Sequence, residues 1–315
     1  MRRIAYLLSF AFFPLFANNL QYEPWFTGPF LAPSAVNMSL GHPSVEPSLT
    51  VFRSSGIYDS HGKIQKYSPI VSINPYFLVE WAVTEKFGVE LLAASLSSFQ
   101  KGKSATYMID ANIYLGYQIS NDDPHSWVPN CRFLLQEIVP TGHYQKFNPE
   151  KTNIEGTGYG SFQTGPTVAV QKLFDVRHHP LSLQWSFTYF FPTAVHVKGF
   201  NTYGGGYGTR GKVRPGQNGL GFFSGEYSIN QRWGVAFDTQ WVFRKRSNFS
   251  GKKGMSALGD VAAVGLPPSF QLSFAPELEY HISSSEGLIG GFWCSVCGKN
   301  SLAFSSTFLA YYYVF

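Results

Sequence analysis

The chain has 315 residues, of which only 14% are charged, 17% are aromatic and 31 are Gly, with a formal net charge of +5. That balance argues against an ordinary soluble surface, which carries more charge, and the scattered Lys and Arg lack the concentrated basic face that nucleic acid demands. Three cysteines are too few, and odd in number, for a disulfide framework.

At the amino terminus, Arg2 and Arg3 precede an apolar run from Ile4 to Phe16, and the small Ala17 leads into the polar Asn18 and Asn19. Charge, apolar run and small residue in that order predict a secretory signal peptide over residues 1–17. Neither this run nor any later one reaches the ~20 apolar residues that a membrane-spanning helix needs. Residues 18–46 do not alternate and hold Pro24, Pro29, Pro33 and Pro43 beside Trp25, Phe26 and Phe30, so they cannot form a central strand. They are expected to be a periplasmic lead-in, the favoured reading, or a piece folded into a barrel mouth as a plug.

From residue 47 the pattern has period two. Tyr107, Ile109, Ala111, Ile113, Leu115 and Tyr117 alternate with Asp110, Asn112 and Gln118. Trp233, Val235, Phe237, Trp241 and Phe243 stand against Asp238, Gln240 and Arg244, and Phe270, Leu272, Phe274, Leu278, Tyr280 and Ile282 against Gln271, Ser273, Glu277, Glu279 and His281. One row suits hydrocarbon and the other water, over lengths that match the ~9–11 residues of a tilted membrane strand. The segments lie near 47–58, 64–83, 87–99, 105–119, 128–140, 158–173, 181–197, 217–229, 232–246, 269–283, 287–297 and 301–315. Together they predict an all-β, antiparallel transmembrane β-barrel over residues 47–315, of about twelve strands with ten to fourteen as bounds, in the bacterial outer membrane.

Connection lengths agree, because outer-membrane barrels keep short turns inside and long loops outside. Short turns at Thr84 to Lys86, Asn230 to Gln231 and Ser284 to Glu286 fall on one side, and the long connections 141–157, 198–216 and 247–268 on the other. The long ones carry Lys146, Lys151, Lys198, Arg210, Lys212, Arg214, Lys252 and Lys253, a basic rim suited to anionic lipopolysaccharide and outer-membrane lipid. The chain closes Tyr311, Tyr313, Phe315, and the terminal Phe315 is the expected handle for the barrel-assembly machinery.

Glu80, Glu90, Asp110, Glu226, Asp238, Glu277 and Glu279 take inward positions with His281, against Arg132 and Arg244, so the lumen is expected to be net acidic and to favour cations. Pairing across strands would weaken that field. Loops holding Gly142, Gly158, Gly206 and Arg210 are expected to constrict the pore. Gly204 to Val213 imitates a phosphate loop, but Val213 stands where Ser or Thr is required and Pro215 blocks a following helix. Cys294 and Cys297, three apart on a strand, should point to opposite faces, and no metal or cofactor is expected. Glu279, His281 and Ser283 are the nearest approach to a hydrolytic set, yet residues two apart on a strand project in parallel.

The run Ile138, Val139, Pro140, Thr141, Gly142, followed by Gly156 to Pro166 with Gly158, Gly160 and Gly165, resembles the signature of outer-membrane proteins named for the MetA pathway of phenol degradation. That resemblance implies a porin- or transporter-like barrel for small organic compounds and brings no catalytic residues. Passive uptake of small solutes is therefore the expected activity. A surface lipid hydrolase and a closed structural or adhesive barrel are the alternatives.

Overall fold

The computed structural model describes residues 25–315, so the expected signal peptide lies outside the described residues. In chain order the elements are β1 (Ser44–Tyr58), β2 (Ile64–Ala82), β3 (Phe87–Gln100), β4 (Lys103–Met108), β5 (Ala111–Ser120), β6 (Asn130–Val139), α1 (Thr152–Glu155), β7 (Gln163–Val176) and β8 (His179–Pro192). Then follow β9 (Val195–Lys198), β10 (Arg210–Arg214), β11 (Asn218–Ser228), β12 (Trp233–Arg244), β13 (Asn248–Lys252), β14 (Ser269–His281), β15 (Glu286–Lys299) and β16 (Ser301–Val314).

All pairings in the main sheet are antiparallel, and β1 pairs with both β2 and β16, which shuts the sheet on itself. The wall has twelve strands, because β4 and β5 both pair with β3 and form one strand broken at Ile109 and Asp110. A closed barrel leaves no sheet edge, which is the condition for placing strands in hydrocarbon. At the seam Phe315 donates its N–H to the carbonyl of Pro43 at 2.9 Å, tying the last residue to the start of β1.

Side chains divide as the alternation demands. On β14, Phe270, Phe274 and Leu278 are exposed on the outside, and Ser273, Ala275, Glu277, Glu279 and His281 are buried inside. At the short-turn end, aromatic rings cluster on the outer surface: Trp233 lies 4.7 Å from Tyr280 and Tyr313 lies 4.8 Å from Phe315. The cysteines depart from expectation. A bulge on β15 pairs Cys297 with Leu272 and Cys294 with Phe274, both outward residues, so the two sulfurs share the outer face. The extra residue, Val296, shifts the alternation by one.

The three long connections fold together over one end of the barrel. β9, β10 and β13 make a separate three-stranded sheet whose inner side buries Val195, Val197, Val213 and Tyr203. Its other side places Lys198, Arg210 and Lys252 directly opposite one another across the strands, all exposed.

Phe274 sits at mid-strand on the outer row. Phe274→Arg is expected to lower stability by about 2–4 kcal/mol when the barrel is unfolded from lipid vesicles with urea, and an unchanged midpoint would contradict contact of this row with lipid.

Candidate functional site: the barrel lumen

The interior is not open water. Residues 27–38 run inside the barrel, across its short-turn half, and so do not form the favoured lead-in beneath it. Pro29 and Pro33 keep this segment from joining a strand ladder, so its remaining backbone groups need side-chain partners. The wall supplies them. Glu226 accepts the N–H of Gly28 at 3.0 Å and Asp238 accepts that of Leu31 at 2.7 Å. Gln184 accepts the N–H of Ala35 at 3.3 Å and donates to the carbonyl of Pro33 at 2.9 Å. Gln118 does the same one step on, accepting from Asn37 at 2.8 Å and donating to Ala35 at 3.1 Å. Each primary amide thus behaves as one rung of an absent strand.

Apolar contacts complete the docking. Phe30 stacks on Phe308 with ring centres 3.9 Å apart, and Ala35 is buried against Leu134 and Ala169. Burial of this apolar surface favours the docked segment by about 25 cal/mol for each Å² removed from water.

Arg132 is the most constrained charge in the lumen. Its guanidinium donates to Glu90 at 2.5 Å, with both side chains buried, and reaches the carbonyls of Ser34 and Val36 at 3.4 Å. A Cβ on Gly116 would lie 2.4 Å from that guanidinium, so the glycine makes room for it.

Most of the remaining inward charges fall into two groups. Toward the short-turn end, Glu226, Asp238, Glu277 and Glu279 come from β11, β12 and β14, with Glu226 and Glu277 facing each other across Ala236. His281 completes this group, its Nε2 3.4 Å from Glu279 Oε2. Ser224 also hydrogen-bonds Asp238. Ser283 lies beyond the end of β14, where its hydroxyl accepts the N–H of Ser285 at 3.2 Å.

At the long-loop end, Asp110 occupies the break between β4 and β5 and accepts two loop amides, Gly142 N–H at 2.9 Å and Tyr159 N–H at 2.8 Å. Thr141 bridges the same break, donating to Ile109 and accepting from Ala111. Gly142 and Gly158 meet back to back under this carboxylate: a Cβ on Gly142 would lie 2.7 Å from Gly158 Cα. Arg244 stacks 4.4 Å from the centre of the Tyr159 ring and donates to its hydroxyl at 2.9 Å. Gly206 packs against the backbone of Met255, where a Cβ would lie 1.9 Å from the carbonyl oxygen. Arg210 belongs to the exposed basic row of the cap and stands away from the lumen.

Between the segment and the wall lies a cavity of about 460 Å³. Glu80 and Glu90 line it, as does Glu46, which fell just outside the first strand as bounded from the alternation. Tyr76, Tyr114 and Phe222 add aromatic surface. The alternation places Glu80 and Glu90 on the inner row but carries no sign that a chain segment shares the space with them.

No protein-family model and no curated protein sequence matches the chain. Among solved structures, an outer-membrane channel from Pseudomonas putida F1 aligns over 90% of this chain and 100% of its own, with TM-score 0.65 and 11% identity. The chain folds as a bacterial outer-membrane β-barrel. The NanC porin aligns over 86% of this chain and 98% of its own, at TM-score 0.44 and 14% identity. The Pseudomonas putida toluene transporter TodX aligns over 88% and 90%, at TM-score 0.41 and 10% identity.

Two measurements check the contacts. Arg132→Met strands Glu90 as an unpaired buried carboxylate and is expected to cost about 3–5 kcal/mol in a urea titration, with Arg132→Met/Glu90→Gln restoring most of it. Asp110→Ala removes the acceptor of two loop amides, so trypsin cleavage at Lys146 and Lys151 should accelerate while the barrel keeps its heat-sensitive gel mobility. Unaltered cleavage would mean that Asp110 does not hold the loop.

Proposed function

We propose that the barrel is a narrow outer-membrane channel for the passive passage of small solutes, with residues 27–38 as an internal constriction. The observation that carries this reading is the way the segment is held. Its hydrogen bonds run to side chains of the wall and not to a strand ladder, so it occupies part of the lumen without being part of the sheet. A segment attached in that manner can shift or leave while the wall stays closed. The cavity beside it already offers room for a small molecule. A solved barrel of similar fold that bears the name of channel, and the resemblance over residues 138–166, point the same way.

Inward carboxylates outnumber inward guanidiniums, which supports a preference for cations over anions. Part of that field is spent, because Glu90 is paired with Arg132. The exposed row of Lys198, Arg210 and Lys252 on the cap sets like charges side by side, an arrangement that phosphate groups of lipopolysaccharide would relieve. A hydrolytic role has less support, since His281 faces Glu279 and Ser283 is engaged in a turn.

Single-channel recording in planar bilayers tests the reading. The intact chain should give small steps, and a chain lacking residues 25–38 should give larger steps with a cation-selective reversal potential. Silence from both would favour a closed structural barrel.

A further inference from the structure

Within the lumen, Glu46 and Glu80 differ from Glu90, the other carboxylate in the cavity lining. Glu46 stands opposite Leu78 on the β1–β2 ladder, and Glu80 stands opposite Ser44 and Glu90, so the two are diagonal neighbours on one face. Glu90 is neutralised by Arg132 at 2.5 Å. Glu46 accepts only the hydroxyl of Tyr76 at 2.9 Å, and Glu80 the hydroxyl of Ser44 at 2.7 Å. Among the described residues, neither has a Lys, Arg or His nitrogen within 4.0 Å. Hydroxyl donors orient a carboxyl group but supply no countercharge. Glu46 is inward yet only half-buried, so part of its surface opens to the cavity.

Apolar and aromatic side chains make up much of the rest of the wall, beside the amides of Asn130, Gln136 and Gln171. Leu78, Leu92 and Leu220 face the same space as Tyr114, Tyr312 and Phe30. Such walls are poor for a bare metal ion, which requires a shell of oxygen ligands on every side. A plain hydrocarbon would leave the two carboxylates desolvated without a partner. An organic acid would meet like charge. What satisfies both halves of the lining is a cationic head on an apolar body: the head takes the carboxylates and the ring faces of the tyrosines, and the body takes the leucines and Phe222.

We propose that this cavity is a binding site for small organic ammonium compounds, an amine carried on an aromatic or short alkyl body. The site rests on the channel reading above and names the class of solute that the lumen selects. About 460 Å³ accommodates a single-ring amine together with a few waters.

Titration calorimetry on the full chain in lipid nanodiscs, with benzylammonium, benzyl alcohol and benzoate as probes, tests the site. Benzylammonium should bind at least about tenfold more tightly than benzyl alcohol, with benzoate weakest. The double variant Glu46→Gln/Glu80→Gln should abolish that preference while retaining benzyl alcohol binding. If the double variant does not fold, Glu46→Gln alone should reduce the preference, since Glu46 is the more accessible of the two. Equal affinity for amine and alcohol in the unaltered chain, or an undiminished preference in the variants, would overturn the proposal. Binding is read at equilibrium and conductance separately. A barrel that prefers the amine but stays silent in bilayers refutes the channel and not the site, and one that conducts without preferring the amine refutes the site and not the channel.

Discussion

Hydrocarbon offers no partner to a backbone N–H or carbonyl, and the whole molecule is organised by that shortage. Closing β1 onto β16 removes the two edges that an open sheet would expose. Once the sheet is closed, each strand has one row of side chains toward lipid and one toward the interior, which is why Phe274 and Ser273 are neighbours with opposite surroundings. The break in the wall at Ile109 and Asp110 is bridged by the Thr141 side chain, and Asp110 is turned to a second use as an acceptor for the outer loop.

The same accounting operates inside the barrel. A proline-containing segment cannot add a strand to a closed sheet, yet its amides are taken from bulk water when it enters the lumen. Glu226, Asp238, Gln184 and Gln118 meet that demand one group at a time, and Phe30 and Ala35 supply the apolar burial that makes entry favourable. Polar lumen residues that would otherwise face water are thereby committed to holding a chain. The consequence for permeation is that charge at the wall and charge felt by a solute are different quantities: Glu46 and Glu80 remain without a cation, whereas Glu90 does not.

At the opposite end, the long loops do not merely hang over the mouth. They share a buried cluster around Tyr203 and Val213, and the Gly142 and Gly158 contact brings two stretches of one loop close enough for a single carboxylate to bind both. The cap is thus fixed to the barrel through Asp110 and through Arg244 on the Tyr159 ring.

Much of the wall was legible from residue order, since a period of two is a local property that survives without knowledge of any partner. Alternation in Phe270 to Ile282 marked a strand with one face for lipid, and the unequal connections marked its direction. Local signals fail where a residue's partner is distant in the chain. Alternation makes Gln118 an ordinary lumen-facing amide, and only the folded barrel brings it and Gln184 to Ala35, 83 and 149 residues away. Alternation alone puts Cys294 and Cys297 on opposite faces, because the bulge at Val296 depends on pairing with β14, which no period within β15 reveals. Residues 27–38 carry no alternation at all, so composition could say what they are not, and their place in the lumen was settled by acceptors that four separate strands bring together. Side-chain facing follows from neighbours along the chain, whereas occupancy of the interior follows from groups that meet only after the barrel has closed.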